Sequence, residues 1–195
     1  PLLELPAQPL ARENTVSYRQ GDLGLTLDSI EEALPAGAEF LLEAETNLKA
    51  DSVTLSAFGQ TSEMRSEDGL RWQVPLKLPA GVVGTQLFRV LARQGDQGSE
   101  GQGYLQIEAN EPLNRLKFSP STALAGQLLN VELLSYANPQ KVEVQGENGE
   151  KIPLERREYT RFTGRLRAAT TAGEHSFTLW LEGVEVGRYT YTVLE

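Results

Sequence analysis

The sequence predicts an all-β protein built from two tandem immunoglobulin-like β-sandwich domains. Apolar residues recur with a period of two residues rather than about 3.6, which indicates strands that bury one face. Turn-forming residues separate these segments at intervals of about 8–12 residues, as in immunoglobulin-like sandwiches. The same order of segments occurs twice, and Gly37 and Gly126 occupy corresponding positions 89 residues apart.

This repeat divides the chain of 195 residues into three segments. Residues 1–22 are expected to form an N-terminal linker or tail, with room for one added strand at 15–18. Residues 23–110 form the first predicted sandwich and residues 111–195 the second. The predicted strands cover residues 23–29, 38–46, 52–58, 61–64, 70–78, 85–93 and 103–109, followed by 115–119, 127–135, 140–145, 150–155, 159–168, 174–182 and 186–194.

Turn residues and prolines refine the pattern of strands. Asn148 and Gly149 lie between two strands and predict a type I′ hairpin, in which both central residues take positive φ. Pro75 and Pro153 interrupt strand-like runs. Because proline cannot donate a hydrogen bond to a β-ladder, both prolines are expected at sheet edges or bulges.

Composition excludes several classes of function. The chain has no cysteine, which excludes disulfides, cysteine zinc sites and thiol catalysis. Its single histidine, His175, cannot form a histidine-pair metal site, and we interpret it as a border residue filling a tyrosine-like position. The net charge of −9 argues against nucleic acid as a partner. We therefore expect no enzymatic activity, no catalytic or metal-binding residues, no cofactor and no transmembrane segment.

The segment from Gly95 to Gly103 is rich in glycine but contains no lysine, so it does not match a phosphate-binding loop. Its Asp96 and Glu100 leave open a calcium site, because Ca²⁺ prefers oxygen ligands. Two carboxylates are few for such a site. The main interpretation is therefore a flexible, solvated hairpin.

Two groups of residues are candidates for binding. Residues 1–110 carry eight Lys/Arg and sixteen Asp/Glu, whereas residues 111–195 carry ten and eleven. In the second half, Arg161, Arg165 and Arg167 alternate with apolar residues, which predicts a basic stripe on one face of a strand. This stripe would contact an anionic polymer or an acidic partner. The alternative is pairing with glutamates such as Glu143 and Glu155 on a solvated face.

The second candidate is Trp180, because the two tryptophans differ in their expected position. Trp72 shares a face with apolar neighbours and is predicted to lie in the core. Trp180 alternates with Phe177 and Leu179, which predicts that it lies on the outer face of its sheet. An exposed indole near Tyr189 or Tyr191 would stack on a sugar ring; the alternative is an indole that simply covers the sheet.

The stretch Phe118–Val131 (FSPSTALAGQLLNV) and the stretch Thr171–Leu179 (TAGEHSFTL) resemble segments of bacterial extracellular Ig-like modules. Such modules precede the catalytic domains of secreted cell-wall peptidases and occur in surface and adhesion proteins. His175 departs from the pattern, because an aromatic residue usually stands at its position. The resemblance covers residues 23–195 and implies an extracytoplasmic spacer, positioning or binding module.

These observations lead to two functional hypotheses. The first is a non-catalytic extracytoplasmic tandem module that acts as a spacer or protein-interaction region of a larger secreted or envelope protein. Because position 1 is Pro1 and the only methionine is Met64, we expect the chain to be a processed protein or a fragment of a longer one. The second is a polysaccharide or cell-wall binding module that uses Trp180 and the arginine stripe. The expected partner is thus a protein or a cell-wall polymer, and the oligomeric state stays open.

Overall fold

The computed structural model describes residues 15–28 and 33–195, and every regular element in these ranges is a β-strand. The strands form four sheets, two in each half of the chain. The predicted fold class, two tandem immunoglobulin-like β-sandwiches, is confirmed. Within the described ranges the chain divides into two compact units: unit 1 comprises residues 15–28, 33–36, 41–76 and 81–111, and unit 2 comprises residues 37–40, 77–80 and 112–195.

The strands closely follow the alternating segments of the sequence. Their bounds in the first half are β1 (Thr15–Gln20), β2 (Leu25–Leu27), β3 (Leu34–Pro35), β4 (Glu39–Thr46), β5 (Ser52–Ala57), β6 (Gln60–Glu63), β7 (Arg71–Lys77), β8 (Gly84–Gln94) and β9 (Gln97–Glu108). In the second half they are β10 (Asn114–Ser119), β11 (Thr122–Ala123), β12 (Leu128–Ser135), β13 (Val142–Gly146), β14 (Lys151–Pro153), β15 (Glu155–Arg156), β16 (Arg161–Arg167), β17 (Gly173–Leu181) and β18 (Val184–Val193).

Unit 1 contains a six-stranded sheet with the order β1-β9-β8-β5-β6, in which β3 also pairs with β9, and a three-stranded sheet β2-β4-β7. The strand allowed for at 15–18 is present as β1, which pairs antiparallel with β9. Residues 1–14 of the predicted tail lie outside the described residues. Alternate side chains of the strands are buried, among them Phe88, Val90 and Leu105. Trp72 is also buried, as its alternation predicts.

The segment Gly95–Gly103 belongs to the hairpin of β8 and β9, as predicted, but it is solvated only at its turn, because the residues from Gln97 to Gly103 are buried or half-buried. Only a two-residue turn interrupts the strands there, and the rest of the segment belongs to β9. A Cβ atom on Gly103 would lie 2.1 Å from the ring of Phe88, and one on Gly101 would lie 3.0 Å from Leu27. These glycines therefore leave room for apolar side chains to lie directly on the strand.

Unit 2 contains a four-stranded sheet with the order β10-β12-β16-β15 and a five-stranded sheet with the order β11-β18-β17-β13-β14. Pro153 lies in the edge strand β14 of the second sheet, and Pro75 lies in the edge strand β7 of unit 1, which confirms their predicted edge positions. The inner faces of the two sheets of unit 2 share one core. Its buried members are Ala123, Leu129, Val131, Leu133, Val142, Val144, Leu154, Phe162, Leu166, Ala168, Phe177, Leu179, Leu181, Tyr191 and Val193.

The internal repeat extends to individual hydrogen bonds. The Leu78 N–H donates to the Ala38 carbonyl over 2.7 Å, and the Ala168 N–H donates to the Gln127 carbonyl over 2.8 Å. The short parallel pairing of β3 with β9 likewise recurs as the pairing of β11 with β18. The two halves thus repeat one pattern of strand pairing, although few residues are identical.

The turn between β13 and β14 differs from its prediction. Gly149 has φ of 79°, but Asn148 is not among the residues with positive φ, so the turn is not type I′. The Gly149 N–H donates to the Gly146 carbonyl, and the Asn148 Oδ1 accepts from the Glu150 N–H. The asparagine side chain therefore satisfies the backbone without itself taking the left-handed conformation.

Candidate functional site

The arginine stripe lies on the outer face of the four-stranded sheet of unit 2. Arg161, Arg165 and Arg167 are exposed along β16, while Phe162 and Leu166 between them are buried in the core. The period of two residues therefore orients the three arginines as the sequence predicts. We call this outer surface of β10-β12-β16-β15 the basic face.

Neighbouring strands add further polar residues to the basic face. Ser119 of β10 pairs with Asn130 of β12, which pairs with Arg165 of β16. In the adjacent row, Lys117 of β10 pairs with Glu132 of β12. Lys117 and Asn130 were not among the candidates predicted from the sequence. Their alternation with apolar residues shows that they point outward, but only the order of the strands brings them beside the arginines.

A groove of about 870 Å³ runs over this surface. Its floor comes from β10, β12 and β16, and its rim includes Pro153, Glu155 and Arg157. Gly164 shares the inner face of β16 with Phe162, and it lets the rim approach because Leu154, between Pro153 and Glu155, packs into the core so closely that a Cβ atom on Gly164 would be 2.4 Å from Leu154 Cδ2. The lining residues are Lys117, Phe118, Ser119, Asn130, Val131, Glu132, Pro153, Glu155, Arg157, Thr163, Gly164 and Arg165.

Several cations of the basic face are engaged by groups of the chain itself. Arg157 forms an ion pair with Glu155 over 2.6 Å, and Arg161 Nε lies 3.9 Å from a carboxylate oxygen of Glu132 and of Glu158. Arg167 donates to the Gly126 carbonyl over 3.0 Å. Pairing thus engages some of the basic side chains.

The glutamates proposed as alternative partners of the stripe are engaged elsewhere. Glu143 pairs with Lys141 over 3.1 Å on the other sheet, and Glu155 pairs with Arg157. Neither glutamate forms an ion pair with Arg161, Arg165 or Arg167 among the residues that the structure describes.

Trp180 lies on the opposite outer face of unit 2 from the arginine stripe. It belongs to β17 in the five-stranded sheet and pairs with Glu143 of β13, so its outward orientation is as predicted. However, the indole is half-buried, and Lys151 Nζ lies 3.6 Å from the ring centroid. The indole Nε1 is buried without a hydrogen-bond acceptor within the described part of the chain.

The expected proximity of Trp180 to Tyr189 or Tyr191 is wrong. Tyr191 is buried in the core, where its hydroxyl accepts from the Ala169 N–H over 3.0 Å. Tyr189 packs against Phe177, with ring centroids 5.5 Å apart, on the inner side of the sheet. A shift in the register of β17 and β18 just before Trp180 does not change this division between inner and outer faces.

His175 lies at the border of the core beside Tyr191, with ring centroids 5.9 Å apart. Its Nδ1 lies 2.7 Å from Glu147 Oε2 and its Nε2 lies 2.8 Å from the Thr171 carbonyl oxygen. These two hydrogen bonds raise the pKa of His175, and the hydrogen bond from His175 lowers the pKa of Glu147. The imidazole links the β13–β14 turn to the start of β17, which is a structural role.

A second groove, of about 570 Å³, lies in unit 1 and is lined partly by acidic residues. The carboxylate of Asp68 accepts from the N–H groups of Arg71 and Leu70, each over 2.8 Å, and these bonds lower its pKa. Arg71 also pairs with Glu45 over 3.1 Å. The carboxylates of Asp68 and Glu45 are thus engaged within unit 1.

No group of three or more His, Cys, Asp or Glu residues that could hold a metal ion occurs within residues 15–28 and 33–195. In the same ranges, no helix has the length and apolar character needed to cross a membrane.

No protein-family model matches the chain, and no curated protein sequence matches it. Among solved structures, the fibronectin(III)-like modules of Clostridium thermocellum CbhA are similar at 14% identity, with 87% of this chain and 93% of that chain covered and a TM-score of 0.36. A chimeric titin Z1Z2 is similar at 17% identity, with 92% and 94% covered and a TM-score of 0.38. Domains 5–6 of the S-layer protein SbsC are similar at 10% identity, with 94% and 99% covered and a TM-score of 0.37. The fold described above rests on the strand pairing of this chain itself.

Proposed function

We propose that the chain is a non-catalytic, extracytoplasmic Ig-like tandem module of a larger secreted or envelope protein. Its role is to act as a spacer or a protein-interaction region, with the basic face of unit 2 as the contact surface. The observation that carries this proposal is the groove on the basic face, where Lys117, Asn130 and Arg165 from three strands line one surface.

The groove also favours a second candidate function, a polysaccharide or cell-wall binding module. Its floor combines cationic, amide and hydroxyl side chains, which suit a polar polymer. Arg161 and Arg167 extend the surface beyond the groove on the same strand. Trp180 lies on the other outer face and is partly covered by Lys151, so this version of the proposal rests on the arginines and their neighbours.

The test is co-sedimentation of the purified chain with an insoluble bacterial envelope preparation, either intact or treated with protease. Binding only to the intact preparation would identify a protein partner, and binding to both would identify a polymer. Arg165→Glu is expected to abolish binding. The matched control is Arg188→Glu, because Arg188 is exposed on the outer face of the five-stranded sheet of the same unit. Binding that survives Arg165→Glu unchanged would refute the basic face as the contact surface.

A further inference from the structure

We propose that the groove on the basic face binds an acidic polysaccharide and that Lys117 and Arg165 hold its carboxylates. This inference rests on the contact surface of the proposed function and names the class of ligand for it. It differs from the sequence-based hypothesis, because it assigns no role to Trp180 and places recognition on charge and hydrogen bonding.

The groove holds two cations without an anionic partner. Within the described part of the chain, neither Lys117 nor Arg165 forms an ion pair or a side-chain hydrogen bond, and both are exposed. From the spacing of adjacent strands and the rise per residue, their Cα atoms are about 12 Å apart. Two separated cations match anionic groups that recur at intervals along an extended polymer.

Hydrogen-bonding side chains line the groove beside these two cations. Asn130 pairs with Arg165 and with Ser119 in one row across the sheet. The side-chain amide of Asn130 supplies hydrogen-bond donors and an acceptor, and the Ser119 hydroxyl can act as donor and as acceptor. Thr163 adds a second hydroxyl to the lining. Such a surface suits the hydroxyl groups of sugar rings between their charged substituents.

The aromatic residue of the groove, Phe118, has no exposed ring face for stacking. Phe118 packs edge-on against Phe177, with centroids 5.2 Å apart, and also lies against Tyr189 at 6.5 Å. A neutral sugar ring that depends on stacking would need an exposed aromatic face. The groove therefore favours a charged glycan over a neutral one.

The groove also contains two carboxylates. Glu132 and Glu155 line the same surface as the cations. Against Lys117, Arg157 and Arg165 they leave the lining with a net charge of +1, which is too low for a dense polyanion such as duplex DNA, with one charge per about 1.7 Å. They can accept hydrogen bonds from sugar hydroxyls. An acidic polysaccharide, which combines spaced charges with many hydroxyls, satisfies both conditions, whereas an acidic peptide lacks the hydroxyls.

The experiment measures affinity by isothermal titration calorimetry with polygalacturonate, neutral dextran and poly-L-glutamate. Each charged hydrogen bond contributes enough that removing both cations in a Lys117→Ala, Arg165→Ala variant should weaken polygalacturonate binding at least about tenfold. The control Arg188→Ala removes one positive charge from the opposite outer face and should bind as the wild type does. Thermal unfolding of each variant checks that unit 2 is folded.

Polygalacturonate binding that the double variant loses and Arg188→Ala retains supports the proposal, provided that dextran and polyglutamate bind at least about tenfold more weakly. Equal binding of dextran that the double variant also loses would overturn the acidic class but leave the contact surface standing. Equal binding of polyglutamate would show that the groove recognises negative charge alone, and it would overturn the proposal that the ligand is a polysaccharide. No binding of any of the three polymers would overturn the inference, while a protein partner found by co-sedimentation would still support the proposed function.

Discussion

Replacing Gly164 with alanine tests how the rim of the groove is held against β16. An ideal Cβ atom at this position would lie 2.4 Å from Leu154 Cδ2, and also 3.6 Å from the Leu154 Cα atom. Leu154 is 6% exposed and belongs to the core of unit 2. The new methyl group therefore requires Leu154 to move, and with it the chain that leads into β15.

The expected cost follows from two opposing contributions. Alanine in place of a strand glycine gains about 0.5–1 kcal/mol from the reduced entropy of the unfolded chain. Overpacking a buried site costs about 1–3 kcal/mol. Because Gly164 has no positive φ, no backbone strain adds to this cost. We expect Gly164→Ala to lower the free energy of unfolding of unit 2 by about 1–2 kcal/mol.

The assay is urea unfolding followed by tryptophan fluorescence. Trp72 lies in unit 1 and Trp180 in unit 2, so a Trp72→Phe background leaves Trp180 as the reporter of unit 2. The control is Gly146→Ala, where the nearest atoms to the added Cβ are Asn148 Oδ1 at 3.3 Å and a Leu166 methyl at 3.5 Å. This control should cost less than Gly164→Ala.

A double-mutant cycle decides whether the contact with Leu154 is the cause. Leu154→Ala alone should cost about 2–5 kcal/mol, because it leaves a cavity in the core. In that background Gly164→Ala should cost little or should stabilise, because the clashing methyl group is gone. Equal costs of Gly164→Ala in both backgrounds would show that the contact with Leu154 is not the cause, since independent sites give additive effects.

Three further predictions concern pH, the indole of Trp180 and the glycine-rich strand. Because the pKa of His175 is raised, its charged form stabilises the fold at pH values below its ordinary pKa of 6.5. Because the pKa of Glu147 is lowered, its carboxylate stabilises the fold at pH values above its ordinary pKa of 4.5. The difference in unfolding midpoint between wild type and Glu147→Gln should therefore be largest between these pH values; a difference independent of pH would contradict the pairing. Lys151→Ala should uncover one face of Trp180 and raise acrylamide quenching of its fluorescence, and unchanged quenching would argue against the observed contact. Gly103→Ala should destabilise unit 1 by about 1–3 kcal/mol in urea unfolding, because its Cβ would meet the ring of its cross-strand phenylalanine; a stabilised variant would contradict this packing.

The fold was predictable because alternation with a period of two is a local signal. The strand predicted at 85–93 corresponds to β8, and the one predicted at 159–168 contains β16. The burial of the glycine-rich segment was not predicted, because local composition does not show which side chains pack on a strand. Gly103 is needed for the ring of Phe88, which lies on a different strand.

The candidate site was only partly predictable, for a related physical reason. The outward orientation of Arg165 follows from its own strand, but its neighbours depend on the order β10-β12-β16-β15. That order sets Asn130 beside Arg165 and brings Lys117 into the same groove. It also separates Trp180 from the arginines, because β17 belongs to the other sheet. The orientation of residues along one strand is a local property of the sequence, whereas a binding surface depends on which strands lie side by side.

An NMR titration of the ¹⁵N-labelled chain with oligogalacturonate would locate the bound polymer on the surface of unit 2. We predict that backbone chemical shifts change along β10, β12 and β16, with the largest changes near Lys117, Asn130 and Arg165. The control region is the outer face of the five-stranded sheet around Trp180, which should not change. Changes centred on Trp180, or none on the basic face at saturating ligand, would contradict the claim that this face is the binding surface.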